Sequence, residues 1–192
     1  MKSKILLSPH FALHEFVISK TAREHGIDNT PPSETVENLR ALCIHTLEPL
    51  REALGMPIII TSGFRTKALN NLLAHSSNRS QHIAGQAADF YVAQGSVSGD
   101  KFQVSDTGKQ HLEHETDVSP MKLETSSRRE LLIKAFRLII TSQQIDYDQL
   151  ILYPTFIHVS YTSNGRNRQK LTRGFSNGTY AALTREEALK LV

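Results

Sequence analysis

Between Val36 and Leu54 the apolar residues Val36, Leu39, Cys43, Leu47, Leu50 and Leu54 recur at steps of three and four, which lines one stripe of a helix that needs a surface to pack against. Gly55 supplies the stop, and Pro49 a bend within the helix. The period then changes at once. Ile58, Ile59 and Ile60 form a continuous β-branched run closed by Ser62 and Gly63, which reads as a buried central strand leading into a loop. The same mixture continues along the chain. Residues 67–74 read as a short helix, 87–92 as a second strand, and 130–142 as a helix carrying Leu131, Ala135, Leu138 and Ile139 at helical spacing. Residues 149–153 and 156–161 read as strands joined tightly across Pro154 and Thr155, and Thr184 with Glu187 has the capping-box spacing of a final short helix. The expected fold is therefore α+β, a small, mainly antiparallel sheet flanked by helices.

The length of 192 residues suits one domain. Its core is placed at 11–161, opening with a short helix and turn-rich chain over 11–29. A polar, weakly periodic insertion occupies 94–127 and a C-terminal extension 162–192. Several function classes drop out on composition. The net charge of +3 is too small and too scattered to mark a nucleic-acid surface. No stretch approaches the roughly 20 apolar residues that cross a bilayer, so no membrane insertion is expected. Only Ile5, Leu6 and Leu7 precede Ser8 and Pro9, which does not make a secretory leader, so the chain is expected in the cytoplasm. The single cysteine, Cys43, sits on the helix stripe and excludes any zinc site built on paired thiolates. A metal here has to be held by histidine and carboxylate.

The densest chemical signal is Ser80-Gln-His82-Ile-Ala-Gly85-Gln-Ala87-Ala-Asp89, an imidazole and a carboxylate across a loop-to-strand junction. Gly85 lets the backbone turn sharply, and the small Ala87 and Ala88 leave room beside Asp89. Far along the chain, alternation in Phe156-Ile-His158-Val-Ser160-Tyr161 puts Ile157 and Val159 on one sheet face and His158 with Ser160 on the other. If that strand pairs near 87–91, then His82, Asp89 and His158 give one ion two nitrogens and an oxygen. Three protein ligands leave a position open, the arrangement of catalytic zinc.

These residues resemble the zinc peptidases of family M15, which include D-Ala-D-Ala carboxypeptidases, L,D-endopeptidases and phage endolysins. The similarity rests on S-x-H-x-x-G-x-A-x-D at Ser80 to Asp89, on Phe156-Ile-His158-Val-Ser160-Tyr161, and on Thr61-Ser-Gly-Phe-Arg65. It extends through Phe11-Ala-Leu-His-Glu-Phe16, Leu47-Glu-Pro-Leu-Arg51 and Asp148-Gln-Leu-Ile151. The resemblance implies a fold of the D-Ala-D-Ala peptidase and hedgehog type, zinc on His82, Asp89 and His158, and substrate contacts from Arg65 and Ser80. It also implies hydrolysis of peptide bonds in peptidoglycan stem peptides, with a phage-type lysin reaching the wall by release from the cytoplasm. Gln81 is placed to hydrogen-bond substrate amides alongside Ser80, and Arg65 offers a planar charged fork to a carboxylate or oxyanion.

One position departs from the family pattern. Where many members carry a glutamate base shortly before the second histidine motif, this chain has Tyr153. A phenol with a reference pKa near 10 is a poor base at neutral pH, although it can donate a hydrogen bond to an oxyanion. Asp148, or Glu113, Glu115 or Asp117 if the insertion folds over the cleft, are the replacement candidates. The alternative is a zinc-containing module that binds wall peptides or a protein partner without cleaving. His111 and His114 read as part of a solvated loop, and His10, His14, His25, His45 and His75 as packing or surface residues. The basic group Arg166, Arg168, Lys170 and Arg173 reads as a solvated tail.

Overall fold

The computed structural model describes residues 5–73, 76–93 and 118–191, with backbone alone for 118–126. The opening segment holds two short helices in place of one, α1 (Leu13–Val17) and α2 (Lys20–Glu24). Ile18 and Ser19 interrupt them in extended conformation, and the Ser19 hydroxyl accepts from the Ala22 amide to start the second. The long helix runs as α3 (Ser33–Leu42), a π-helical stretch (Cys43–Leu47) and α4 (Glu48–Leu54). Pro49 brings no amide hydrogen to the ladder, and just before it the Glu48 amide bonds back five residues to the Cys43 carbonyl. The expected bend thus takes the form of one widened turn. Gly55 ends the helix at φ 63°, and Leu39, Cys43, Leu47 and Leu50 of the stripe are fully buried.

Among the described residues six strands form a single sheet: β1 (Ile58–Ser62), β2 (Ala87–Val92), β3 (Gln149–Leu152), β4 (Ile157–Ser160), β5 (Lys170–Gly174) and β6 (Tyr180–Leu183), in the order β1-β2-β4-β3-β5-β6. Only the β3–β5 pair is parallel, so the sheet is mainly antiparallel as expected. α5 (Lys67–Leu72) follows β1, α6 (Val118–Thr141) follows β2, and α7 (Arg185–Leu189) closes the chain. At Thr184 the capping box is formed: its hydroxyl accepts from the Glu187 amide while Glu187 Oε2 accepts from the Thr184 amide, at 3.2 and 2.8 Å.

Three expectations are corrected. β1 is an edge strand, not a central one, with Ile59 and Ile60 only half-buried. An isoleucine run identifies a strand but not its neighbours, and it is the adjacent interior strand β2 that is buried at every position except Tyr91. The helix expected from 130 is described from Val118 onward, so the end of the polar segment 94–127 is helical. The remainder of that segment, with His111, Glu113, His114, Glu115 and Asp117, lies outside the described residues, as does His75. Residues 170–183, expected to belong to an extension, supply β5 and β6 to the same sheet.

One face of this sheet carries Ala88, Phe90, Leu150, Leu152, Ile157, Val159 and Leu171, all buried. They share a core with Leu132, Phe136 and Ile139 of α6 and with the α3–α4 stripe. Covering one face by helices leaves the opposite face, at alternate residues, to form a site.

Candidate metal centre

Strand register assembles the open face row by row. Asp89 on β2 pairs with His158 on β4, His158 with Ile151 on β3, and Ile151 with Thr172 on β5, so all four project from one face. One row along lie Ser160, Gln149 and Lys170. In the other direction Tyr153 follows β3 beside Gly174 and Tyr180. The glycine is required there, because a Cβ would fall 2.4 Å from the Tyr153 ring. Asp89, His158, Ile151, Thr172, Gln149 and Lys170, with Tyr153 and Tyr180, floor a cleft of about 960 Å³.

His82 reaches the same row from the turn before β2. Gly85 takes φ +68° there, and a Cβ on it would lie 2.5 Å from Thr35 Cγ2 and 2.7 Å from its carbonyl oxygen. Asn38 clasps the turn through Nδ2 to the Ala84 carbonyl, 2.9 Å, and the Arg65 amide donates to the His82 carbonyl, 3.2 Å. His82 Nδ1 lies 2.6 Å from the Gly63 carbonyl oxygen, which only accepts, so Nδ1 carries the proton and Nε2 keeps a lone pair. Gly63 in turn abuts α1, where a Cβ would meet the Phe16 backbone oxygen at 2.6 Å. The glycine of Thr61-Ser-Gly-Phe-Arg65 therefore serves packing and imidazole orientation together.

The three candidate ligand atoms converge. His158 Nδ1 is 2.8 Å from Asp89 Oδ1, His82 Nε2 is 3.3 Å from the same oxygen, and the two nitrogens are 3.2 Å apart. With ligand bonds of about 2.0–2.1 Å, the edge of a tetrahedron around zinc is about 3.3 Å, so the atoms already approximate one triangular face. Two imidazole nitrogens and a carboxylate oxygen are a donor set suited to zinc. The cluster is the one group of such residues, among those described, spaced to hold a metal ion. Burial pushes the Asp89 carboxyl up, but the two imidazoles beside it outweigh that and hold the group well below the usual carboxylate range. Burial drives His82 down, favouring the neutral imidazole that a metal needs.

The other sequence candidates divide. Arg65 points into the cluster, but its Nη2 donates to Asp89 Oδ2 at 2.9 Å and its Nε to Ser62 Oγ at 3.0 Å. It steers Asp89 so that Oδ1 faces the imidazoles, a positioning role the sequence did not suggest. Ser80 and Gln81 line the cleft. Tyr153 lines it too, its ring stacked on Phe156 at 4.3 Å and its hydroxyl donating to that of Tyr180 at 3.0 Å. Burial and Tyr180 push the Tyr153 phenol up, so it remains a proton donor.

Asp148 does not fit the role of a base. It is buried, both its oxygens accept from Arg168, and Oδ2 also accepts from Gln81 Nε2 at 3.0 Å. Burial raises this carboxyl, yet the hydrogen bonds from Arg168 and Gln81 prevail and lower it. Arg168 is accordingly an anchored residue, in contrast with the solvated tail expected from its sequence. Among the described residues Asp89 is the sole carboxylate lining the cleft. The wall built by Lys170, Thr172, Phe175 and Tyr180 was missed, because Lys-Leu-Thr-Arg-Gly carries too few apolar residues, and Tyr-Ala-Ala-Leu no β-branched one and no alternation, to announce strands.

Comparison with known families gives one match, to a family model described as Peptidase M15, over residues 9–115. That span contains His82, Asp89 and Arg65 and stops before His158, which the β2–β4 pairing brings in independently. No curated protein matches the chain.

Proposed function

Because the chain belongs to the Peptidase M15 family, we propose that it is a zinc-dependent peptidase acting on peptide bonds of peptidoglycan stem peptides, with His82, Asp89 and His158 holding the ion. The observation that carries this reading is the near-tetrahedral spacing of the three ligand atoms on the floor of an open cleft. Bound there, zinc supplies Lewis-acid polarisation of a scissile carbonyl and lowers the pKa of an attacking water towards about 7. The remaining work falls to the chain. Gly63 fixes the His82 tautomer, Arg65 orients Asp89, and Ser80 and Gln81 present hydrogen-bonding groups to substrate amides. Tyr153, kept protonated, turns its hydroxyl from Tyr180 to donate to the oxygen on which negative charge develops.

A specific observation favours a second reading. With Tyr153 at the position where related peptidases carry a base, and Asp148 engaged by Arg168, the described part of the cleft offers no spare carboxylate. A zinc-containing module that binds wall peptides without cleaving them has this composition. Zinc-loaded protein incubated with purified peptidoglycan separates the two. The peptidase releases stem-peptide fragments, stops on addition of chelator and resumes with zinc. A binding module retains muropeptides and releases nothing.

A further inference from the structure

The cleft extends well beyond the metal ligands. Following their row across the sheet, Thr172 on β5 lies two strands from His158, and Lys170 lies one row along on the same face, opposite Gln149. All three line the cleft. Its described cations are Arg65, Arg79, Arg168 and Lys170, against the single carboxylate of Asp89. Arg65 is matched by Asp89 and Arg168 by Asp148, whereas Lys170 is exposed and has no acidic partner among the described residues. Thr172 adds a second unfilled valence. It is 4% exposed, and its hydroxyl has no hydrogen-bond partner among the described residues, a costly state for a buried polar group unless a ligand completes it. An unpaired ammonium two residues from an unused hydroxyl, with the Gln149 carboxamide alongside, forms a donor-rich surface complementary to a carboxylate.

We propose that Lys170 and Thr172 form a second substrate subsite, which binds a carboxylate carried by the peptide away from the bond to be cut. The proposal rests on the peptidase or peptide-binding reading above and narrows its ligand to anionic peptides. Register sets the distance. Two strand spacings of about 4.8 Å and one two-residue step of about 6.7 Å put the Cα of Lys170 about 12 Å from that of His158. An extended peptide advances about 3.3 Å per residue, so the recognised carboxylate sits three or four residues from the metal centre.

The test is calorimetric binding of a pair of stem-type peptides, one with a free side-chain carboxylate at that spacing and one with the same group amidated, to zinc-loaded wild type, Lys170→Met and Thr172→Val. Zinc content is measured in parallel. The wild type is expected to favour the free carboxylate by about five-fold to ten-fold, with the preference shrinking as salt is raised. Lys170→Met should bring the ratio close to one while keeping zinc and the affinity for the amidated peptide, and Thr172→Val should reduce the ratio less. Equal binding of the two peptides by wild type, or an undiminished preference in Lys170→Met, overturns the subsite alone. Failure of wild type to bind either peptide overturns the subsite together with the stem-peptide reading, and intact zinc binding in that case leaves the metal centre standing.

Discussion

Gly85 and Gly55 both adopt left-handed backbone, at φ +68° and +63°, but only Gly85 is enclosed. An added Cβ at Gly55 meets nothing within 4 Å among the described residues, whereas at Gly85 it would come within 2.5 Å of Thr35 Cγ2 and 2.7 Å of the Thr35 carbonyl oxygen. Alanine at either site costs about 1–2 kcal/mol for the left-handed conformation. At Gly85 the overlap adds about 1–3 kcal/mol, because Thr35 is buried in α3 and its carbonyl oxygen is backbone that cannot rotate aside. Gly85→Ala should therefore melt about 2–12 °C below Gly55→Ala in a chain of this size. Thr35→Ser in the Gly85→Ala background should return part of the loss, since it removes the methyl and leaves the oxygen. The same displacement should shift His82 and weaken zinc binding by about ten-fold or more, as loss of ligand orientation does in other metal sites, with Gly55→Ala unaffected. Denaturant unfolding and competitive zinc titration of the two variants measure both effects. Equal destabilisation at the two glycines would refute the close-approach argument, and unchanged zinc affinity in Gly85→Ala would refute the claim that this turn aims His82.

Asp148 titrates below the ordinary carboxylate range, so its stabilisation is present above the unfolded value of about 3.9 and is lost as pH falls through the lower folded value. Asp148→Asn should cost about 1–2 kcal/mol at neutral pH, with the difference from wild type fading below about pH 4 in acid-unfolding curves; a difference independent of pH would count against the Asp148–Arg168 pairing. Chelator treatment should lower the melting temperature by about 5–11 °C relative to protein with zinc at a hundred times its dissociation constant, reversed by zinc addition, as differential scanning calorimetry would detect. Tyr153→Phe should reduce kcat by about 100-fold with little change in KM, and Tyr180→Phe by less, in a peptide-release assay, if the Tyr153 hydroxyl serves the oxyanion. An unaltered kcat in Tyr153→Phe would remove that role.

The grouping of the candidate metal ligands was legible in the sequence because its signals are local and chemical. Two imidazoles, an aspartate and a strict alternation about His158 specify which side chains leave the core, and the β2–β4 register then brings Asp89 opposite His158. The helix stripe ending at Gly55 was legible for the same reason, as periodicity over several turns. What escaped depends on partners distant in the chain. Ile58–Ile60 could not reveal an edge position, since burial of β1 depends on α1 packing over it. β5 pairs in parallel with β3 through a segment whose single large apolar residue is Leu171, and its cleft-facing residues are polar because they face the site. Arg65 was placed by its chemistry, but its partner Asp89 was not, because either a substrate or a protein carboxylate satisfies a guanidinium. Asn29 carried no signal at all, yet it bonds the Val17 and Phe64 carbonyls and the Thr66 amide, tying the loop before α5 to the end of α1.

Anomalous diffraction at the zinc absorption edge, from crystals of the zinc-loaded chain, bears most directly on the metal centre. The expected result is one full-occupancy peak about 2.0–2.2 Å from His82 Nε2, His158 Nδ1 and Asp89 Oδ1, with a fourth position facing the cleft. A peak held by other residues, or zinc-saturated crystals with no peak between these three, would contradict it.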